Sequence, residues 1–265
     1  MRLWFNTISV WSLALVGILF ILFLSLPIAT LAIRAIETQA WQALDGDVVS
    51  DAIYLSFVTT SISVIITLLF GTPLAYMLAR WRFRGRRIIN VLVELPIVLP
   101  PAVAGLALLL TLGRRGLFGS ALEQLDIIIP FSTTAVVIAQ TFVSAPFYIR
   151  NAQVGFQSVP REIEDAARVD GADGLTLFFF VTIPLTARLL GAGIVLSWAR
   201  ALGEFGATIL FAGSLQGRTQ TMPLLIYNIF ASDIDAAIMT GLILVGFALV
   251  ALLLSQWLRF QPDER

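Results

Sequence analysis

Two groups of ionisable residues stand in surroundings that raise a chemical question. The first is Arg200 and Glu204, inside the apolar run Leu185 to Ala212, in the segment Arg200-Ala-Leu-Gly-Glu-Phe-Gly-Ala-Thr208. Four apart on a helix, the two share a face and can pair. A pair inside a membrane costs less than two lone charges, yet still marks a site. Arg200 is the only full positive charge deep in an apolar run, so it is the one group there that could meet an anion. Glu204 opposes a free anion unless Arg200 neutralises it, which favours a gate or a structural pair over a tight anion site. Gly203 and Gly206 would let another helix approach closely. The plainer alternative is an ion pair that only ties helices together.

The second group lies in Val159 to Pro184, where Arg161, Glu162, Glu164, Asp165, Arg168, Asp170 and Asp173 fall between long apolar runs. So many charges are costly in hydrocarbon, so this stretch sits outside it. Pro160 suits the first helical position, with Glu162, Glu164 and Asp165 at the positive end of the helix dipole. Gly171 is a stop signal, and Asp173 can cap a second short helix through Phe180. Ile163, Ala166, Ala167 and Asp170 share one face, small and lined by alanine. An amphipathic helix resting on the membrane surface is the alternative.

Other chemistries are closed. The chain has no histidine or cysteine, and every basic residue is arginine. Imidazole catalysis, thiolate chemistry, disulfides and His or Cys metal ligands are excluded, and with no lysine an ordinary Walker A site is excluded too. No carboxylates cluster for catalysis. No enzyme activity, metal or bound cofactor is expected of this chain, and any ATP-driven action needs a partner subunit.

The elements that must position these groups are membrane spans. Of 265 residues, 58% are hydrophobic and 13% charged, about half the charge of a soluble domain. The expected class is an all-α polytopic membrane protein with about six transmembrane helices: Val10–Ile33, Ala52–Ala79, Ile88–Leu112, Thr133–Ile149, Leu185–Ala212 and Ile234–Leu258. Val10–Ile33 is too long for a signal-peptide core, so an uncleaved helix is expected. Arg34–Asp51 reads as a polar loop with a turn at Asp45-Gly46-Asp47. The third span contains Pro96, Pro100 and Pro101. These suit a broken helix lining a transport path, or a helix that simply starts after Pro101. Glu94 reads equally as structural or as part of a path. Pro146 interrupts the fourth span, and Arg150 ends it. Within Gly213–Ala231, the latter half reads as re-entrant or interfacial.

Arginines give the orientation. Arg80, Arg82, Arg84, Arg86 and Arg87 follow the second span and read as a positive-inside marker, rather than as a nucleic-acid patch. With six spans and both termini inside, twelve arginines fall inside (Arg2, these five, Arg150, Arg161, Arg168, Arg188, Arg259 and Arg265). Only Arg34, Arg114, Arg115 and Arg218 fall outside. No internal repeat is evident, so an ATPase-independent secondary carrier gains no support.

Asp165-Ala166-Ala167, then Gly171, then Val181-Thr182-Ile183-Pro184 resembles the EAA loop of ABC importer permeases, with Asp165, Val181 and Ile183 as conservative departures. Arg200 to Thr208, with Phe211-Ala-Gly213, Gly217-Arg-Thr-Gln-Thr221 and Met222-Pro-Leu224, resembles molybdate transport permeases. Glu94-Leu-Pro-Ile-Val-Leu-Pro-Pro101 and Gly113-Arg-Arg-Gly-Leu-Phe-Gly119 are similar to the same family. The resemblance implies a type I ABC importer permease fold, with an N-terminal helix and loop over 1–51, a permease domain over 52–258 and a cytoplasmic tail over 259–265. It implies a coupling loop at 159–184, with Glu164, Asp165, Ala166, Ala167, Gly171 and Pro184 as coupling residues. Pro96, Pro100, Pro101, Arg200, Gly203, Glu204 and Gly206 become the residues of a path or gate. The implied partners are two cytoplasmic ATPases that use the ATP, a second copy of the permease, an external oxyanion-binding protein and the bilayer, with no nucleic acid. The implied place is a bacterial or archaeal inner membrane. The implied cargo is molybdate or tungstate, with sulfate or thiosulfate as the alternative.

Overall fold

The computed structural model describes the backbone of residues 2–259 and the side chains of 11–258. Arg2 and the tail from Arg259 to Arg265, assigned above to the inner side, therefore lie outside the described side chains. All regular structure among the described residues is helical. The helices are α1 (Arg2–Glu37), α2 (Gly46–Arg80), α3 (Arg86–Val98), α4 (Pro101–Leu112), α5 (Gly119–Gln124), α6 (Thr133–Ser158) and α7 (Arg161–Val169). After them come the single turn α8 (Gly174–Thr176), then α9 (Ile183–Leu202), α10 (Gly206–Phe211), α11 (Met222–Ile229) and α12 (Ile234–Arg259).

The chain divides into two compact units, Met1–Asp45 with Ile226–Ile243, and Gly46–Leu225 with Leu244–Arg265. The first holds α1, whose side chains from Trp11 to Phe23 are exposed throughout, as suits a helix facing lipid. The polar loop expected at Arg34–Asp51 is shorter than that. Helix α1 runs to Glu37, a 3₁₀ turn covers Ala40–Ala43, and Gly46 already begins α2.

In the second unit α6 is the element around which the others pack, touching α2, α3, α4, α9 and α10. It runs on to Ser158, so Arg150 does not end it. Its seams with α2 and α9 are close and lightly polar. Gln140 donates to the Thr60 hydroxyl at 3.3 Å, Thr141 to the Ser63 hydroxyl at 3.0 Å, and Ser197 to the Ser144 carbonyl at 3.0 Å. Such small polar contacts tie helices together where apolar burial gives little drive. A Cβ on Gly193 of α9 would stand 2.9 Å from Asn151 Cβ, so only glycine permits this crossing.

Among the described residues, four helices are long and apolar enough to cross a bilayer, and the pair α3–α4 makes a fifth if it counts as one span. Helix α6 is long enough at 26 residues but more polar, since Gln140, Ser144 and Gln153 are buried against protein instead of facing lipid.

The third span is broken by a bend of 115° between α3 and α4. Leu99 is extended at φ −67°, ψ 132°, as a residue before proline must be. Pro101 then opens α4, where its missing N–H costs nothing. Helix therefore exists on both sides of the prolines, and α3 is not merely a lead-in to a helix starting after Pro101.

The fifth span is also interrupted. Expected as one helix over Leu185–Ala212, it ends at Leu202 and resumes at Gly206 as α10. At its other end it is longer than expected. The second short helix does not stop at Phe180 but passes through a π-helical stretch, Leu177–Thr182, straight into α9. Pro184 supplies the reason, because it has no N–H for the α-type ladder and the bonding shifts to i→i−5, with the Ile183 N–H reaching Phe178 O.

Candidate functional site

Two clusters bring together the residues singled out by sequence. The first anchors the charged segment to α2. Arg80, at the end of α2, donates to Glu164 Oε1 at 2.6 Å and to the Val159 carbonyl at 3.1 Å. Thr182 of the π stretch donates to the same Glu164 oxygen at 3.3 Å. The two charged side chains are only 10% and 4% exposed. Burial makes each dependent on the other, since a buried charge is tolerated only when paired and hydrogen-bonded. One carboxylate thus ties α7, the end of α2 and the entry to α9 to one another.

Neighbouring Asp165 behaves oppositely. It is exposed and pairs with Arg168 one turn on, at 2.6 Å. Ile163, Ala166 and Val169 are also exposed, Ala167 is half-buried, and Val169 is 87% exposed. Pro160 occupies the N-cap rather than the first helical position. Gly171 has φ +93°, a left-handed conformation that glycine adopts without strain. Asp173 caps α8 by accepting from the Thr176 N–H at 2.7 Å. Hydrogen bonds from Thr176, side chain first and then backbone, hold its carboxyl below the ordinary value.

The second cluster lies where the two breaks meet. Glu204 is 1% exposed. Its Oε2 pairs with Arg200 at 2.8 Å, and its Oε1 accepts from the Ala207 N–H at 2.8 Å. The expected pair is present, but Glu204 stands beyond the end of α9, where it also caps α10. Arg200 is 29% exposed and borders a cavity of about 100 Å³ with Pro96, Ile97, Leu99, Pro101, Ala104, Val143 and Phe147. A Cβ on Gly206 would meet Pro101 Cβ at 2.5 Å, so the broken third and fifth spans pack closely here, with room only for glycine. Gly203 differs from expectation. It is exposed, and a Cβ there would meet only Ala199 O of its own helix at 3.8 Å, so among the described residues no other helix approaches it. Pro100 is the N-cap of α4. Glu94 pairs with Arg150 at 3.0 Å on an exposed edge.

Chemically, the first cluster is a charged, water-poor joint and the second a nearly neutral pair. Glu204 uses both oxygens on protein partners, while Arg200 keeps part of its guanidinium at the cavity. Sequence reasoning missed Arg80, Thr182 and Phe147. Arg80 was hidden in a run of arginines, and its partner lies 84 residues away. Spacing could not have marked Asp165 as solvent-facing, since Glu164 stands at helical spacing from Arg161 and Arg168 as well.

Residues 68–261 match the family described as "Binding-protein-dependent transport system inner membrane component". The molybdenum transport system permease protein ModB of Mycobacterium tuberculosis is 42% identical over 233 residues, 88% of this chain and 88% of that one. The probable transport system permease protein NifC of Clostridium pasteurianum is 40% identical over 243 residues, 91% of this chain and 85% of that one. The sulfate transport system permease protein CysW of Synechococcus elongatus is 35% identical over 261 residues, with coverage of 92% and 90%. A chain of a bacterial ABC transporter that imports the acidic polysaccharide alginate has the same fold, with a TM-score of 0.73 at 17% identity over 98% of this chain and 97% of that one. The family match covers most of the chain and the relatives span nearly all of it, so the chain belongs to the family of binding-protein-dependent transport system inner membrane components.

Proposed function

We propose that the chain is the permease subunit of an ATP-driven ABC importer for a tetrahedral oxyanion, molybdate or tungstate. The observation that carries the mechanism is the buried Arg80–Glu164–Thr182 joint, which fixes the charged segment to two membrane helices at once. Two cytoplasmic ATPase subunits bind and hydrolyse ATP, and this chain performs no catalysis itself. They take hold of the exposed Ile163–Ala166–Val169 side of α7, next to Asp165, Ala167 and Gly171. Movement of α7 then reaches α2 through Arg80, and α9 through Thr182 and Pro184. Helix α9 carries it to Arg200 and Glu204, where Pro96, Pro100, Pro101, Gly203 and Gly206 shape the path or its gate. A second copy of the chain completes the path, an external binding protein delivers the anion, and both termini face the cytoplasm of a bacterial or archaeal cell.

The molybdenum permeases among the relatives support the cargo. The CysW relative favours sulfate or thiosulfate as a second reading. The test is ATP hydrolysis by this chain with its ATPase in proteoliposomes, in the presence of binding protein loaded with molybdate, tungstate or sulfate. Stimulation by the molybdate- or tungstate-loaded form alone is expected. Equal stimulation by sulfate would transfer the cargo to the second reading, and uptake that needs no ATPase would overturn the mechanism.

A further inference from the structure

An apolar groove of about 560 Å³ runs along the outside of α2 next to the start of the charged segment's second helix. Pro73, Tyr76, Met77 and Trp81 form one wall, and Leu175 and Phe179 belong to the other. Its floor is rigid: Tyr76 and Phe178 meet edge to face at 4.9 Å, and Phe178 and Phe179 at 5.1 Å. Its walls are not covered by the described residues, with Leu175 71%, Trp81 59% and Phe179 58% exposed. The volume is in the usual range of about 300–1,000 Å³ for a ligand site, and the lining offers almost no polar partner.

What distinguishes this groove from ordinary lipid-facing surface is the chain that leaves it. Trp81 is followed at once by Arg82, Arg84, Arg86 and Arg87. None of these four holds an ion pair among the described residues, whereas Arg80 is committed to Glu164. A tryptophan at the polar boundary and a cluster of arginines just beyond a span select an apolar body with a negatively charged head.

We infer that this groove binds an anionic phospholipid, with an acyl chain along Tyr76, Met77 and Phe179 and the headgroup at Arg82 and Arg84. The lipid touches α2 and the segment that leads into α9, so it bears on the joint between them. The inference stands apart from the identity of the cargo.

The test reads quenching of tryptophan fluorescence in the full chain, reconstituted with its ATPase in nanodiscs containing brominated phosphatidylglycerol or brominated phosphatidylcholine. The Trp81→Phe variant isolates the Trp81 signal from the other five tryptophans. Two further variants probe the site. Gly174→Leu adds a side chain to the groove lining at a position where a Cβ meets no atom within 4 Å. The pair Arg82→Gln and Arg84→Gln removes the head contacts but keeps Arg86 and Arg87. The expected result is preferential quenching of Trp81 by the anionic lipid, with an apparent affinity raised roughly fivefold for each arginine engaged. That preference falls in the double glutamine variant, and Trp81 quenching falls in Gly174→Leu. Equal quenching by both lipids would reduce the groove to ordinary boundary surface. Absence of Trp81 quenching would mean that a protein partner covers it. Quenching unchanged by Gly174→Leu would place the lipid elsewhere. Any of the three overturns the inference.

Discussion

Replacing Glu164 by leucine should release the charged segment from α2, and the size of the effect follows from the surroundings of the pair. Removing one partner of a buried ion pair costs about 3–5 kcal/mol, because the other charge is left uncompensated. Arg80 would retain the Val159 carbonyl at 3.1 Å and lies one residue from an exposed loop towards which its long stem can reach. Glu164→Leu therefore belongs at the lower end, about 3 kcal/mol, which is roughly a hundredfold shift towards the undocked segment. Arg80→Leu belongs higher, about 4 kcal/mol, since the short carboxylate keeps only the Thr182 hydroxyl at 3.3 Å. The double variant carries no stranded charge and should lie within about 1 kcal/mol of the parent, a strong departure from additivity. Amide hydrogen exchange across 161–182, with thermal unfolding in the same detergent, measures both docking and global stability. Single variants that exchange like the parent, or losses that add in the double, would refute the claim that this joint depends on charge pairing. The aromatic contacts of Phe178 with Tyr76 would then be the real attachment.

Glu204→Gln should be milder than Glu204→Ala, because the amide oxygen can still cap the Ala207 N–H. The alanine variant loses the cap, about 0.5–2 kcal/mol, as well as the pair, and thermal unfolding of the two variants separates these contributions. Gly206→Ala should destabilise by about 1–3 kcal/mol through its overlap with Pro101, whereas Gly203→Ala should be close to neutral, as read by denaturation of each. Asp173 has its folded pKa lowered by its hydrogen bonds with Thr176, so its capping contribution is complete above the ordinary value of 3.8 and is lost only as pH falls through the lower folded value. Protease sensitivity of the 171–176 turn should thus rise only at acid pH in the parent, while in Asp173→Ala it should be raised across the neutral range. A parent turn that loosens near neutrality would contradict the cap.

Features written in neighbouring residues were legible in the sequence. The consecutive prolines at 100 and 101 announced a break, and Gly171 with Asp173 announced a turn followed by a capped helix. The pairing of Arg200 with Glu204 also followed from spacing, although the helix ends between them. Features that join distant residues were not legible. Asp165 and Glu164 are adjacent carboxylates on a helix, and nothing local says which will be buried. Arg80 decides it from another element. Likewise the glycines at 203 and 206 look equivalent in the sequence, yet among the described residues only 206 lies against another helix, because the chain turns between them. The continuous run from Gly174 to Leu202 was obscured by Pro184, which ordinarily signals a boundary but here is absorbed by a wider turn.

The tight crossing at Gly193 has a mechanical consequence. Helix α9 is pressed onto α6 at a point where α9 itself has no side chain and lies against Asn151 and Tyr148, and this point lies between its two ends. Ile183 is ten residues to one side and Arg200 seven to the other, so the arms are about 15 Å and about 10 Å at 1.5 Å per residue. A stiff rod held at an inner fulcrum moves its ends in opposite senses. Any tilt that carries the Thr182 end towards the bundle axis carries the Arg200 end away from it, with about two-thirds of the amplitude. One pivot residue thus gives this helix the geometry of a rocker, whose two ends cannot both swing towards the axis in the same tilt.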